Sequence, residues 1–160
     1  MRRLALAALA AAGIMATAMP AFAVTVETQF SPEFQKQLDK KWGVREGEIL
    51  SKSLTERIER QFAREGVNPA RVVVTIDDAI PNRPTFKQIS DRIGLDPIRS
   101  ISIGGAKLSG VAYDASGKEI GKLDYKWYET DISQVYGYGT WTDAEWTFDR
   151  FANRFAKQID

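Results

Sequence analysis

The spacing of apolar residues predicts a β-strand that is followed at once by a short helix. In residues 24–30 two valines and a phenylalanine share one face at a period of two, as in a half-buried strand. Ser31 can cap a helix, and Pro32 and an acidic residue suit its first turn. We therefore expect a helix from Pro32 to about Trp42, ended by Gly43.

A longer amphipathic helix is predicted over residues 46–65. Its apolar residues recur at every fourth position, and opposite charges stand four residues apart on its other faces; the apolar set is Leu50, Leu54, Ile58 and Phe62. Gly66 suits the left-handed position after the last turn. The β-branched run Arg71–Ile76 then predicts a buried strand, and Asp77-Asp78 is expected to mark its end.

The middle of the chain predicts a loop followed by a β-hairpin. Residues 81–97 contain three prolines and no sustained period, which indicates an ordered loop with a helical turn near residues 86–93. Strands are expected at 100–113 and 119–129, joined by a short turn that contains a glycine. Apolar residues occupy odd-numbered positions before Gly104-Gly105 and even-numbered positions after it. This change predicts a β-bulge at the glycine pair, which would keep the apolar side chains on one face.

The last helix has the most complete set of start signals. Thr142 and Glu145 have the spacing of a capping box, and Trp141 and Trp146 have that of a hydrophobic staple. One helical stripe then runs toward the end of the chain: Ala144, Phe148, Phe151, Ala152, Phe155 and Ile159. So aromatic a face must pack on a sheet.

The order of these elements predicts an α+β fold. Both long helices have one apolar face, and no internal repeat is present. We expect a two-layer sandwich, in which a mixed, mainly antiparallel sheet of about four strands carries the two long helices on one face.

Residues 1–23 have the organisation of a cleavable signal peptide. Two arginines precede an uncharged run rich in alanine and leucine, and Ala21-Phe22-Ala23 matches a cleavage site for small residues. The run is too short and too weakly apolar for a membrane span, which needs about 20 strongly apolar residues. We predict cleavage after Ala23, a single α+β domain at residues 24–160, and a periplasmic or secreted location.

Composition excludes several classes of function. Without its signal peptide the chain keeps 20 of its 22 basic residues against 21 acidic ones, and nothing in the sequence resembles a polybasic footprint for nucleic acid or anionic lipid. No later segment is long enough to span a membrane. The absence of cysteine rules out disulfides and lipid attachment through a cysteine, and the oligomeric state stays open.

The same composition argues against most catalytic chemistry. Histidine and cysteine are both absent, so the commonest general base, the thiol nucleophile and the usual zinc and copper ligands are missing, and we expect no cofactor. Carboxylates remain, and Asp77 and Asp78 are the clearest candidates. Because neighbours on a strand point to opposite faces, an acidic turn is the simpler interpretation. We expect a protein that is not an enzyme.

Candidate binding residues lie in two loops, with Asp77 beside them. Tyr136 and Tyr138 are each followed by glycine, which leaves ring faces accessible to a sugar or an apolar ligand, although packing over the last helix is the alternative. Arg83 stands between two prolines and either presents a cation to an anionic ligand or partner, or belongs to a rigid exposed turn.

The domain resembles uncharacterised exported bacterial proteins of the α/β type. The resemblance lies in four segments: Val72–Asp78, Pro81–Thr85, Ser102–Ala106 and Trp141–Phe155. In architecture the chain is also similar to small accessory domains of outer-membrane lipoproteins and secretion assemblies. The resemblance implies a place in the cell envelope, but the missing lipid-attachment cysteine departs from those lipoproteins.

Three functions follow as hypotheses. The first is a soluble, exported, non-catalytic cell-envelope protein that binds a protein partner or a small ligand. The second is a carboxylate-dependent hydrolase of envelope polymers that uses Asp77 and Asp78. The third is a glycan-binding module that uses Tyr136 and Tyr138.

Overall fold

A computed structural model describes residues 24–159, so the predicted signal peptide lies outside the described residues. Four strands and four α-helices follow one another, with a π-helical turn after the first helix and a 3₁₀ turn before the last. In chain order they are β1 (Thr25–Phe30), α1 (Pro32–Gln37), the π-helical turn (Leu38–Trp42), α2 (Val44–Glu65), β2 (Arg71–Ile80), α3 (Phe86–Asp91), β3 (Gly105–Tyr113), β4 (Glu119–Tyr128), the 3₁₀ turn (Ile132–Val135) and α4 (Thr142–Ala156).

The strands form one sheet in the order β1-β2-β3-β4. β1 is parallel to β2, and the other two pairs are antiparallel. Helices α2 and α4 pack against each other and against the sheet, α2 on β1 and α4 on β3 and β4. The predicted α+β class, with two long helices on a mixed four-stranded sheet, is confirmed. No helix among residues 24–159 is long and apolar enough to cross a membrane.

The core between the two layers is built mainly from aromatic and branched side chains. Phe62 of α2 meets Phe155 of α4 with ring centroids 5.8 Å apart. Gly110 of β3 lets α4 approach closely, because a Cβ there would lie 2.7 Å from the ring of Phe151. Aromatic rings of this size bury enough apolar surface to hold a cysteine-free domain together.

Strand β2 is longer than the sequence predicts. The prediction that Asp77-Asp78 ends the strand is wrong, because β2 continues to Ile80. A register shift between Ile76 and Asp78 adds one residue to the strand, so both aspartates stay out of the core and Ala79 returns to it. The ladder shows no shift at Gly104-Gly105, where we predicted the bulge, and β3 starts only at Gly105.

Capping of the short and long helices also differs from the prediction. Thr142 is the first residue of α4 rather than its cap, and its Oγ1 accepts the N–H of Gly139 at 2.9 Å. The capping box instead starts α3, where Thr85 and Gln88 exchange hydrogen bonds. At the other end, α4 stops at Ala156, and Ile159 packs on the core after the helix.

Candidate functional site

Two buried polar side chains fasten the long loop between β2 and β3 to helix α4. Asn82 follows β2, Asp143 lies in the first turn of α4, and both are fully buried. The amide of Asn82 donates to Asp143 Oδ2 and accepts the backbone N–H of Asp143 at 2.9 Å. Asp143 Oδ2 also accepts the N–H of Gly104 at 3.0 Å, just before β3 begins. Both ends of the loop are therefore held at one buried point.

Arg83 ties this loop to the segment before α4. Its Nε donates to the carbonyl oxygen of Tyr138, and its Nη1 donates to that of Ile98. A guanidinium carries five N–H donors in a fixed plane, so the remaining donors are available to another acceptor. Arg83 is thus oriented by the protein before any ligand arrives.

A cavity of about 310 Å³ opens beside Arg83. Its wall combines side chains from the π-helical turn, from the end of β2 and from the loop that follows β2. Lys41, Arg83 and Arg92 supply its charged groups, and the partly exposed side chains of Ile80 and Ile101 belong to its apolar part. No carboxylate belongs to the wall.

The three cations of this cavity have no acidic partner within the described part of the chain. None of the ion pairs among residues 24–159 involves Lys41, Arg83 or Arg92. Lys41 Nζ instead lies 4.0 Å from the ring centroid of Trp42, in a cation–π contact. Like charges on a wall that contains no carboxylate favour a positive potential in the cavity, which attracts anions.

Two acidic residues lie close by, and both are engaged elsewhere. Asp91 pairs with Lys87 at 2.6 Å. Asp96 accepts the backbone N–H groups of Ile98 and Arg99 at 2.7 and 2.8 Å. Hydrogen bonds from these N–H groups hold the pKa of Asp96 below its ordinary value, with smaller help from the charges of Arg99 and Arg83. Asp96 thus stays ionised and turns the loop.

The side chains of the cavity wall offer cations and hydroxyl groups. Its hydroxyl groups are already used: Ser102 donates to the carbonyl oxygen of Pro81 at 2.6 Å, and Ser100 accepts the N–H of Asp96 at 3.0 Å. Nucleophilic catalysis needs a base within hydrogen-bond reach of the nucleophile. The wall holds neither a histidine nor a carboxylate to act as that base.

A second hollow, of about 510 Å³, lies on the other side of Pro84. Its wall contains Arg45 but also the carboxylates of Glu46 and Glu145, so its charges offset each other. Glu46 Oε2 accepts the indole N–H of Trp141 at 2.7 Å, and that contact is buried. This hollow has less reason to attract a charged ligand than the cavity beside Arg83.

The predicted site residues do not all meet in one place. Arg83 lines the cavity, whereas Tyr136, Tyr138 and Asp77 do not. Tyr138 contributes its backbone carbonyl to Arg83, and its ring packs edge-on against Trp146 at 5.0 Å. Tyr136 is 89% exposed. The structure brings two of the four residues into contact, Arg83 and Tyr138.

The aspartate pair belongs to the sheet. Asp77 faces Lys107 of β3, with Oδ2 and Nζ 3.9 Å apart. Asp78 accepts hydrogen bonds from Gln37 at 3.3 Å and from the hydroxyl of Tyr128 at 2.8 Å. Burial raises the pKa of Tyr128 well above its ordinary value, and the hydrogen bond to Asp78 raises it further. These contacts join β2 to α1 and to β4.

Sequence reasoning missed Lys41, Trp42 and Arg92. Lys41 and Trp42 end the π-helical turn, which packs against α3, and Arg92 directly follows α3. No periodic pattern relates the two segments, because they meet only through the tertiary fold. The adjacency of Lys41 and Trp42 was the one local feature of the sequence that could have suggested a binding site there.

Comparison with known proteins does not assign the chain to a family. No protein-family model matches the chain, and no curated protein matches it. Among solved structures it is similar to a minor lipoprotein from Acinetobacter baumannii, with 10% sequence identity and a TM-score of 0.40, over 86% of this chain and 90% of that one. At this level the likeness carries no conclusion about function.

Proposed function

We propose that this protein is a non-catalytic binding protein of the cell envelope, and that the cavity beside Arg83 takes a small anionic ligand. One observation carries the proposal. Lys41, Arg83 and Arg92 converge on one cavity whose wall contains no carboxylate. An anion would relieve the repulsion between these cations and accept charge-assisted hydrogen bonds from them.

The dimensions and apolar surface of the cavity narrow the class of ligand. Its volume of about 310 Å³ is at the small end of the range for small-molecule sites. Ile80 and Ile101, which are 37% and 39% exposed, offer apolar surface beside the cations. A molecule with one carboxylate or phosphate group and a compact apolar or ring-shaped body fits this combination.

The sequence supports the proposed location. An N-terminal segment of signal-peptide type directs a chain out of the cytoplasm, where small-molecule anions and acidic polymers of the envelope are available to it. A cysteine-free domain that holds together by packing suits an oxidising compartment as well as a reducing one.

The arrangement favours this function over the other two hypotheses. Both oxygens of Asp78 accept hydrogen bonds, and Asp77 faces Lys107, so the pair has structural partners already. In the glycan-binding hypothesis, Tyr136 and Tyr138 would both stack on a sugar. The ring of Tyr138 packs on Trp146, so Tyr136 is the one of the two whose ring is largely exposed. One exposed ring makes a weaker site than three converging cations.

The proposal is tested by titrating the protein without its signal peptide with phenyl phosphate and with benzoate, and by following tryptophan fluorescence and heat. We expect saturable binding of at least one probe. Arg92→Gln and Lys41→Gln should each weaken it about 10-fold or more, because one charge-assisted contact contributes about 1.5–3 kcal/mol.

Arg64→Gln is the matched control, because Arg64 is an exposed arginine of α2 outside the cavity wall. It should leave the affinity unchanged. Equal affinity in all three variants and the parent protein, or no saturable binding of either probe, would contradict the proposed function.

A further inference from the structure

Strand β4 is an edge strand with a free row of backbone groups. Within residues 24–159 it pairs only with β3. The N–H of Glu129 donates to the carbonyl oxygen of Gly104 at 2.9 Å, which fixes the phase of the ladder. Because successive residues of a strand direct their backbone groups to alternate sides, those of Lys122, Asp124 and Lys126 point away from β3. A further strand can pair with them.

One side of this free edge is lined by two guanidinium groups of α4. Arg150 lies over the ring of Trp127, 3.9 Å from its centroid, and Arg154 lies over the ring of Tyr125 at 4.7 Å. Both arginines are exposed, and no ion pair in the described part of the chain involves them. The cation–π contact restricts each guanidinium, and the N–H donors that do not face the ring remain for a partner.

The opposite side of the edge is also mainly basic. Lys122 and Lys126 are exposed on the face of the sheet that the long helices leave uncovered, with Asp124 between them. Neither lysine takes part in an ion pair among residues 24–159. Four cations therefore flank the middle of the free edge, two on each face of the sheet, and Asp124 lies between the two lysines.

We propose that β4 receives an extended acidic segment of another protein as a fifth strand of the sheet. Such a segment would pair its backbone with the free groups of β4 and would place acidic side chains near Arg150 and Arg154 on one face. On the other face, acidic residues would lie opposite Lys122 and Lys126, where opposite charges stabilise a cross-strand pair. This docking surface is separate from the cavity beside Arg83.

Charge selects this occupant over two others. A second copy of the chain would bring its own four cations against these four, and lysines on an edge strand oppose such self-pairing. An acidic polysaccharide or a lipid surface satisfies the cations but offers no strand backbone to pair with Lys122, Asp124 and Lys126.

The test uses the protein without its signal peptide and an 11-residue peptide that alternates valine or threonine with glutamate. Backbone amide shifts are followed by NMR during the titration, and amide hydrogen exchange is measured at saturation. We expect shifts that centre on β4, with the amides of Lys122, Asp124 and Lys126 at least 10-fold better protected from exchange. The double variant Arg150→Gln/Arg154→Gln should bind at least 10-fold more weakly.

Matched controls separate strand pairing from simple ion attraction. The pair Arg64→Gln/Lys36→Gln removes two exposed charges elsewhere and should leave the affinity unchanged. A peptide with N-methyl groups on alternate residues keeps its charge but loses half of its backbone donors, and at least one of its two registers should fail to bind.

Several outcomes would overturn the proposal. Two of them concern the peptide: both N-methylated registers bind as tightly as the parent peptide, or a peptide with glutamine in place of glutamate binds as tightly as the acidic one. The other two concern the protein: the NMR shifts lie away from β4, or the protein self-associates through β4 in sedimentation experiments. Loss of binding in Arg92→Gln or Lys41→Gln bears only on the cavity, so the two proposals fail independently.

Discussion

At the scale of the residue, the contact between Asn82 and Asp143 positions the candidate site. Asp143 is a fully buried carboxylate, and no cation among residues 24–159 pairs with it. Its Oδ2 is held by the amide of Asn82 and by the N–H of Gly104, near the positive end of α4. The loop that carries Arg83 and Arg92 leaves and rejoins the sheet at this point. A buried polar contact therefore sets the geometry of an exposed cavity.

Substituting Asn82→Ala is expected to lower the free energy of unfolding by about 2–4 kcal/mol. The change leaves the carboxylate and the backbone N–H of Asp143 buried with fewer partners, and an unsatisfied buried polar group carries its full desolvation cost. Urea denaturation followed by circular dichroism measures the effect. Asn68→Ala removes an exposed asparagine and should change stability by less than about 0.5 kcal/mol. A similar loss in both variants would show that the buried contact contributes nothing special.

Also at the scale of the residue, the predicted capping box at the start of α4 is not formed. Thr142 and Glu145 have the spacing of a capping box, but Thr142 accepts the N–H of Gly139 instead. Thr85 and Gln88 have the same type of spacing and do form the box. Spacing alone does not distinguish the two, because the choice depends on where the preceding loop runs.

At the scale of the element, Tyr128 links the edge of the sheet to its centre. The ring reaches from β4 across β3 to Asp78 of β2, where its hydroxyl donates at 2.8 Å. Gly105 of β3 makes this route possible, because a Cβ there would lie 2.7 Å from the Tyr128 ring and 2.3 Å from the carbonyl oxygen of Trp127. A glycine with a φ of 146° also tolerates a backbone conformation that side chains disfavour.

The alkaline side of the stability profile should report this contact. Burial and Asp78 raise the pKa of Tyr128 in the folded state above its ordinary value of 10.0. The unfolded chain then loses the tyrosine proton first, so the contribution is complete below pH 10 and is lost as the pH rises above it. We expect Tyr128→Phe to show a shallower loss of stability between pH 10 and pH 12 than the parent protein.

Chemical denaturation at a series of pH values checks this expectation. Tyr136→Phe is the control, because Tyr136 is 89% exposed, and its alkaline profile should match that of the parent protein. Parallel profiles for Tyr128→Phe and the parent protein would contradict the raised pKa of Tyr128.

Elements with local signals could be predicted, and elements that depend on distant partners could not. The four-residue spacing of α2 and the aromatic stripe of α4 predicted both helices, and the predicted ends lie within a few residues of those in the structure. Asp77 and Asp78 suggested the end of a strand, because nothing nearby in sequence indicates that Gln37 and Tyr128 are partners of Asp78 or that Lys107 is the partner of Asp77.

At the scale of the whole molecule, the two proposed binding surfaces lie in different places. The helices cover one face of the sheet, and the cavity lies where the loop after β2 meets the π-helical turn. The fold class could be predicted from helix faces and strand order. The cavity could not, because Lys41 and Arg83 are far apart in sequence and their segments meet through tertiary packing, including that of α3 against the π-helical turn. Arg83 alone could be singled out, as a cation between two prolines.

The central claim, that this cavity takes an anion, is tested most directly by NMR of the side-chain N–H groups during a titration with phenyl phosphate. We predict saturable shifts of the Arg83 and Arg92 guanidinium groups and of the Trp42 indole N–H, all with one dissociation constant. The Arg64 signal should not move. Shifts that are equal for Arg64 and Arg92, or that leave the Trp42 indole unchanged, would contradict the account.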